Sequence, residues 1–351
     1  MANTNTTPQD RIRIFDHNGT PLAEFRASVE RSWAIGGEGR ALFNYASRKS
    51  DIVNETVLQF GNWILIENTA LPAWVGVIDT PRYWNGRQVA VHAYTAEHVF
   101  GWRVGPAEET LTGSAGTIFE NLISKLNAQE ATVIQSGNIW RGGTQRQETI
   151  NPNKLSENLK RLYERSNEEY RFRPVINTNG QLVVFADWVA SLGTQTTALL
   201  LEGAGGGNME AVDNILVEDE EITNDIAGYG DGLTWTSKPT ASVRDLASIG
   251  KYGLRQGSME YPGVINIQPI ITNISDLLKN KKQPVRTFHI FAINKGDTFK
   301  YISLGNVLKL RLVDAGFIAG GRGFESSVRI MGMAYNPNVK NKIELVVREV
   351  V

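Results

Sequence analysis

The sequence predicts an α+β fold that is mainly β: two related β-barrel domains with an inserted α+β region. Three observations predict it. The stretch 56–103 alternates apolar and polar residues with period two between Gly and Asn-Gly breaks, the signature of an antiparallel sheet with one buried face. A weaker copy of that stretch closes the chain. Between the two copies the apolar period lengthens to that of amphipathic helices.

Taken in order, residues 11–16 alternate Ile12 and Ile14 with Arg11 and Arg13, and His17-Asn18-Gly19 turns them into a second strand at 22–25. Residues 28–34 and 41–46 form the next hairpin around Gly36-Gly37-Glu38-Gly39. Residues 57–59 with 63–66, then 74–78 and 88–94, give three more strands. Asn85-Gly86 is expected to be the tight turn of the last pair, because both residues tolerate positive φ. A short helix ending at Arg103 closes the first barrel domain, 10–103. Five of the eight tryptophans lie between Trp33 and Trp102, bulk that fills a sheet interior or packs a subunit contact.

The inserted α+β region, 111–240, opens on a helix at 116–127 with Ile118, Phe119, Leu122, Ile123 and Leu126 on one stripe. Asn151-Pro152 reads as N-cap and first residue of a second helix. Strands at 170–176 and 181–189 flank the turn Asn177-Thr178-Asn179-Gly180. A helix-rich connection, 241–284, is expected to hold a helix at 240–253, capped by Ser242 with Asp245 and stopped at Gly250. A strand at 264–271 and a helix at 274–280 follow it. The second barrel domain, 285–351, draws contributions from 241–284; it begins with His289, Phe291 and Ile293 alternating against Ile290 and Ala292, turned back at Lys295-Gly296-Asp297.

The internal copy rests on ordered matches. Gly61-Asn62 pairs with Gly305-Asn306, Gly76 with Gly332, and Pro81 and Pro337 each follow the latter glycines by five residues. An Asn-rich turn and a closing strand come next in both, and the later copy carries an extra loop at 316–326.

Composition excludes several classes. Lys and Arg total 36 against 37 Asp and Glu, so no basic field awaits a nucleic-acid backbone. The acidic run 218–221 reads as a solvated turn or strand edge. With no cysteine there are no disulfides and no thiolate metal sites. The polar N-terminus lacks a signal-peptide core, and no 18-residue apolar run exists, so the expectation is a chain made in the cytoplasm without a membrane anchor. No active site is expected. His17, His92, His98 and His289 are scattered, and no metal or nucleophile motif surrounds them. Gly203–Gly207 lacks the Lys-Ser/Thr and the helix of a phosphate loop, and Glu108-Glu109 reads as two solvated neighbours rather than paired acids. Trp84 and Trp140 could stack on sugar rings, but packing is the plainer use.

Three stretches carry a family resemblance. W-V-G-V-I-D with its Asn-Gly hairpin and A-E-H-V-F-G-W-R resembles barrel strands running into a helix that ends in Arg. R-D-L-A-S-I-G-K-Y-G-L-R, with Arg244, Asp245, Ser248, Ile249, Tyr252, Gly253 and Arg255 at the matching positions, is similar to a connection seen in hubs. V-R-I-M-G-M-A-Y resembles the closing segment. Together they resemble the baseplate hub family of tailed-phage and related contractile-injection tails, including the N-terminal part of siphophage tail-associated proteins.

The resemblance implies tail-tube-like barrels and a homotrimer whose two barrels per chain give six similar units in a ring. Such a ring adapts a sixfold tail tube to threefold central components and forms part of the ejection channel at the virion tail tip. Its implied partners are distal tail and tube proteins, the tape-measure protein and a central spike or fibre, with DNA passing through unbound; no cofactor is implied. The structural positions expected to matter are Gly61, Gly76, Asn85, Gly86, Gly305 and Gly332. The competing readings are a glycan-binding receptor-recognition tail protein and a tail-borne hydrolase.

Overall fold

The computed structural model describes residues 10–46, 53–85, 88–105, 107–202, 207–210, 216–219, 222–232, 234, 236–261, 264–295, 298–313, 323–339 and 341–350. β1 (Asp10–Phe15) and β2 (Pro21–Ala27) form the first hairpin, with Gly19 at φ +84° in the turn. β3 (Val29–Ala34) and β4 (Arg40–Ala46) form the second. The expected strand at 57–59 is absent: the segment before Gly61 is turn, and Asn62 Nδ2 donates to the carbonyls of Thr56 and Val57 at 2.9 Å each. A side chain that answers two main-chain acceptors supplies the turn with bonds a ladder would otherwise give.

β5 (Trp63–Glu67), β6 (Trp74–Trp84) and β7 (Gln88–Thr95) complete the first half, followed by a 3-10 turn at Ala96–Trp102. Asn85 N–H donates to the Gln88 carbonyl at 3.0 Å and so closes the β6–β7 hairpin; Gly86 lies outside the described residues. The unbroken apolar run of β5 is explained by burial on both faces. Ile64 and Ile66 join one core, Trp63 and Leu65 a second.

That second core is built by β8 (Glu109–Gly113), α1 (Ala115–Gln129), β9 (Ile134–Ile139), β10 (Arg146–Ile150), α2 (Leu155–Arg165), β11 (Glu169–Ile176) and β12 (Leu182–Val189). The α1 stripe is buried as its period demands, and Ser114 caps the helix by accepting from Thr117 N–H. α2 starts at Leu155 rather than at Asn151-Pro152, because Asn158 Oδ1 binds Asn151 N–H and holds that segment outside the helix. β13 (Gln195–Leu201) and β14 (Leu216–Asp219) then return to the large sheet, on β19 (Val307–Leu312) and β18 (Arg286–Ile293).

β15 (Asp225–Tyr229), β16 (Thr240–Arg244), α3 (Leu246–Tyr252), β17 (Gln256–Glu260) and α4 (Ile267–Lys281) surround a small third core of Ile226, Tyr261, Val264, Ile270 and Ile274. Two readings from sequence are corrected here. Residues 240–244 are strand, and the cap of α3 is Asp245, which accepts from Ser248 N–H at 2.9 Å. The helix is stopped by Gly253 at φ +76°, just past Tyr252, and not at Gly250. The segment 264–271 is not a strand; it runs into α4, whose Ile270, Ile274 and Leu278 share one face.

β18 and β19 are followed by β20 (Phe324–Tyr335) and β21 (Lys342–Glu349). Thirteen strands form one sheet, ordered β14-β18-β21-β20-β3-β4-β7-β6-β5-β1-β2, with β13 and β19 branching from β20. The expected closed barrels are not seen: among the described residues the ladder is an open path through both halves. The reason is β20, which is long enough to pair with β19 up to Arg329 and then, past a bulge between Ile330 and Gly332, with β3 of the first half. The inner faces of both halves consequently share one hydrophobic core.

Candidate functional site

The two halves repeat one local device. Gly61, at φ +85°, donates its N–H to the Ile78 carbonyl at 2.9 Å, and Ile78 N–H donates to the Asn62 carbonyl at 2.9 Å. Gly305, at φ +82°, donates to the Ile330 carbonyl at 2.8 Å, and Ile330 donates to the Asn306 carbonyl at 3.0 Å. Positive φ is what lets the chain leave the preceding turn and enter the ladder there, and glycine adopts it without steric cost. Asn306 Nδ2 also reaches back to a carbonyl, that of Tyr301 at 2.9 Å, as Asn62 does in the first half.

This frame aligns β5, β6, β7 and β4 with β19, β20, β21 and β18. Gly76 and Gly332, matched in the sequence, do not share a place in it: Gly76 precedes Ile78 by two residues and Gly332 follows Ile330 by two. Their surroundings differ accordingly. A Cβ on Gly76 would lie 2.0 Å from the Tyr94 carbonyl oxygen, whereas on Gly332 the nearest atom, Val346 Cβ, would be 3.4 Å away.

Where the halves meet, β20 pairs with β3 in the register Gly332 with Ala34, Ala334 with Ser32 and Tyr335 with Arg31. Arg31 is fully buried at this seam. Its guanidinium lies 5.4 Å from the Trp33 ring and 5.2 Å from the Tyr335 ring, and Nη1 is 2.7 Å from Asp10 Oδ2. Asp10 also accepts from Val29 N–H and Asn68 Nδ2, so the carboxylate is held from three sides. Sequence reading missed this pair, although the alternation Val29, Arg31, Trp33 already put Arg31 on the inward face.

The corresponding stretch of β6, from Asp79 to Trp84, pairs only with β7; among the described residues no strand lies along its other side. Tyr83 and Trp84 are 62% and 67% exposed, while Arg82 is largely buried between the Phe60 and Trp84 rings, 5.0 and 5.9 Å away, donating to the Leu58 carbonyl at 2.9 Å and pairing with Glu55 at 3.2 Å. Among the described residues β14 pairs only with β18.

His98 sits at the bulge of β6. Nδ1 lies 2.6 Å from Glu38 Oε1 and Nε2 2.7 Å from Asp79 Oδ2, the ring stacks on Tyr94, and Trp102 Nε1 donates to the same Asp79 oxygen at 3.2 Å. Desolvation pulls the imidazole down, but the two carboxylates outweigh it and hold it above its ordinary value. Glu38, Asp79 and His98 come from three separate segments, so nothing in the sequence brings them together. His17 lies in the first turn, with His92 on β7 and His289 on β18. No group of three or more His, Asp or Glu among the described residues could hold a metal ion. Glu109 is paired with Lys125, and Glu108 is exposed. Of 203–207, only Gly207 lies within the described residues.

The hub-like connection is organised around buried Asn224. Its Nδ2 donates to Ser248 Oγ and to the Gly253 carbonyl, and its Oδ1 accepts from Arg255 N–H at 2.7 Å. Asp245 caps α3 and binds Lys282 Nζ at 3.0 Å, Arg244 reaches Asp225 at 3.2 Å, and Ser248 Oγ donates to the Lys282 carbonyl. Ile249 and Tyr252 are half-buried on α3, where the Ile249 carbonyl accepts from Gly253 N–H. These residues lock a turn beside the third core.

The sequence matches no protein-family model and no curated protein. The fold matches solved structures over nearly its whole length. A prophage tail protein, gp18, of Listeria monocytogenes EGD-e superposes with a TM-score of 0.59 at 12% identity, covering 96% of this chain and 94% of that one. A tail protein of Neisseria meningitidis MC58 gives 0.57 at 11%, over 97% and 96%. A component of the E. coli type VI secretion system, described as structurally similar to T4 tail proteins gp27 and gp5, gives 0.50 at 10%, over 98% of this chain and 74% of that one. The chain therefore has the fold of phage-tail and injection-system tail proteins.

Proposed function

We propose that this chain is a structural component of a tail tip, a homotrimeric baseplate hub in which two similar halves per subunit present six similar units around a channel. The observation that carries the proposal is the repeated Gly-Asn junction: the same positive-φ glycine, the same paired main-chain bonds and the same strand order, twice in one polypeptide. A unit used twice lets a threefold assembly face a sixfold tube on one side and threefold central components on the other. On this reading the function is mechanical: the ring meets tube and tape-measure proteins and a spike or fibre, and lets DNA through without gripping it. The near-balanced charge supports that, since a channel wall that neutralised many phosphates would bind them.

Mass photometry with negative-stain imaging of the purified chain tests it. A threefold ring with a central hole is expected; a chain that stays monomeric at every concentration overturns it. The glycan-binding reading draws on Trp84 and Trp140, 67% and 46% exposed, and predicts tryptophan quenching by sugars. On the hub reading no sugar quenches either residue.

A further inference from the structure

The third core stands apart from the other two. β15, β16, α3, β17 and α4 close around their own apolar cluster, and among the described residues no side chain of that cluster belongs to the inserted core or to the core of the large sheet. The unit leaves the sheet between β14 and β18, which pair antiparallel from Leu216 with His289 to Asp219 with Arg286. On the side of the unit, Thr223 N–H donates to the Lys281 carbonyl at 2.8 Å. The unit thus hangs from the sheet by a neck of two chain segments.

Its other attachment is to the inserted core, where α4 packs on β10 and α2. This joint is polar. Arg146 Nη2 on β10 lies 3.4 Å from Asp276 Oδ2, Asn167 Nδ2 donates to the Asp276 carbonyl at 3.3 Å, and Asn280 Nδ2 donates to Asn167 Oδ1. The Arg165 guanidinium lies 4.7 Å from the Tyr261 ring and donates to the Glu260 carbonyl at 3.1 Å.

Each ion at the joint has a second partner on its own side. Arg146 Nη1 donates to the Arg165 carbonyl at 2.9 Å, Arg165 Nη1 to Glu148 at 2.9 Å, and Lys279 Nζ to Asp276 at 2.9 Å. Parting the two surfaces leaves none of these charges alone, so the heavy cost of orphaning one member of a buried pair does not arise. The closed joint, by contrast, strands polar atoms. Arg146 Nε, Glu148 Oε1 and both amide atoms of Asn273 are buried with no hydrogen-bond partner. Asn273 lies one turn before Asp276 on the same face of α4. Groups of this kind favour a state in which water reaches them.

We infer that the β15–α4 unit swings off the inserted core on the β14–β18 neck, uncovering the surfaces that carry Asn273 and Glu148. The unit moves as one body: the bonds around Asn224 and the Asp245–Lys282 pair lie inside it and stay made. The subunit then has one hinged part on an otherwise continuous frame. The movement belongs to the single chain and does not depend on how many copies assemble.

The chain has no cysteine, so single introduced thiols report the opening. Asn273 and Ile274 are neighbours on α4, both fully buried; the first is turned to the joint and the second to the unit's own core. In the full chain under native conditions, Asn273→Cys is expected to react with a thiol reagent about a hundredfold or more faster than Ile274→Cys. Adding Asn167→Ala, which removes two hydrogen bonds of the joint, should speed the reaction at 273 by about fivefold or more and leave that at 274 unchanged. Equal rates at 273 and 274, or a rate at 273 indifferent to Asn167→Ala, would show that only unfolding of the unit exposes either thiol and would overturn the inference. A second measurement uses spin labels on the exposed positions Lys160→Cys and Leu246→Cys, in protein diluted with unlabelled chain. Two distances are expected between them, and a single narrow distance would overturn the swing even where the thiol rates differ.

Discussion

The two halves of the large sheet are built on one plan and finished differently. In the second half, β20 carries on past its bulge onto β3, and the seam is sealed by a buried Arg31 held between Trp33, Tyr335 and Asp10. In the first half, β6 carries on past its bulge with no further strand beside it among the described residues, and Tyr83 and Trp84 are exposed. Equivalent backbone thus supports a permanent contact in one place and an available one in the other. The difference lies in the side chains around the edge: a desolvated ion pair seals the second-half contact, whereas Tyr83 and Trp84 stand exposed along the first-half edge.

The largest effect is expected at the seam. Arg31→Met would leave Asp10 charged, fully buried and short of its cation, and breaking one side of a buried pair costs about 3–5 kcal/mol. Replacing both partners, Asp10→Asn with Arg31→Met, should recover much of that loss in chemical denaturation. If the single variant loses under about 1 kcal/mol, the pair does not seal the seam. Next come the glycines that look alike in sequence. Gly76→Ala would drive a methyl into the Tyr94 carbonyl and should cost about 1–3 kcal/mol as overpacking, while Gly332→Ala, with its nearest neighbour at 3.4 Å, should stay within about 0.5 kcal/mol. Equal losses at the two sites would refute the unequal alignment.

The equivalent glycines sharpen the comparison further. Gly61 and Gly305 share φ near +84°, so alanine at either is strained by roughly 1–2 kcal/mol. Gly61 has nothing within 4 Å of an added Cβ, but at Gly305 that Cβ would meet the Leu192 carbonyl oxygen at 2.4 Å. Thermal melts should therefore show Gly305→Ala as the more damaging by about 1 kcal/mol or more. The extra crowding has a local cause: Gly193, at φ +75°, packs against Gly305, where the inserted core docks onto the second half beside the Arg329–Glu169 pair.

How much of this was legible in the sequence follows from how local each signal is. Apart from the segment 57–59, the strands of the first half, the α1 stripe and the Gly-Asn repeat were readable, because alternation and positive-φ glycines act over a few residues. The segment 264–271 misled because its isoleucines favour strand by type. Ile267, Ile270, Ile271, Ile274 and Leu278 nonetheless recur at helical spacing, and Pro269 is tolerated in a first helical turn. The alignment of Gly76 with Gly332 misled because its meaning depends on which residues face them across the ladder. The open path of the sheet was beyond reach for the same reason: nothing in β20 itself announces that its last residues pair with a strand some 300 positions earlier. The Glu38–Asp79–His98 cluster, from three distant segments, left no pattern at all.

The smallest expected effect is a pH dependence confined to the first half. His98 meets a carboxylate on each ring nitrogen, and only the imidazolium can donate to both. Its value is held above the ordinary 6.5, so its contribution is complete below about 6.5 and is lost as pH rises through the higher folded value. Asp79 is partly desolvated, which raises it, but Thr80 N–H, His98 and Trp102 outweigh that and depress it below 3.8; its contribution holds above that value and is lost as pH falls through the lower folded one. Neighbouring Glu97 adds to the alkaline loss: desolvation pushes its carboxyl up to about 7, although the residue as a whole is only partly buried, so ionising it between 4.5 and 7 costs stability. The cluster is therefore at full strength between roughly 3.8 and 6.5 if Glu97 is replaced by Gln. His98→Gln should remove about 1–2 kcal/mol at pH 6 and progressively less as pH rises, because the wild type loses the same interaction by itself. Stability against pH for the two single variants and the wild type separates the groups. A His98→Gln loss as large at pH 9 as at pH 6 would show that the ring acts there by packing on Tyr94 and not by its charge.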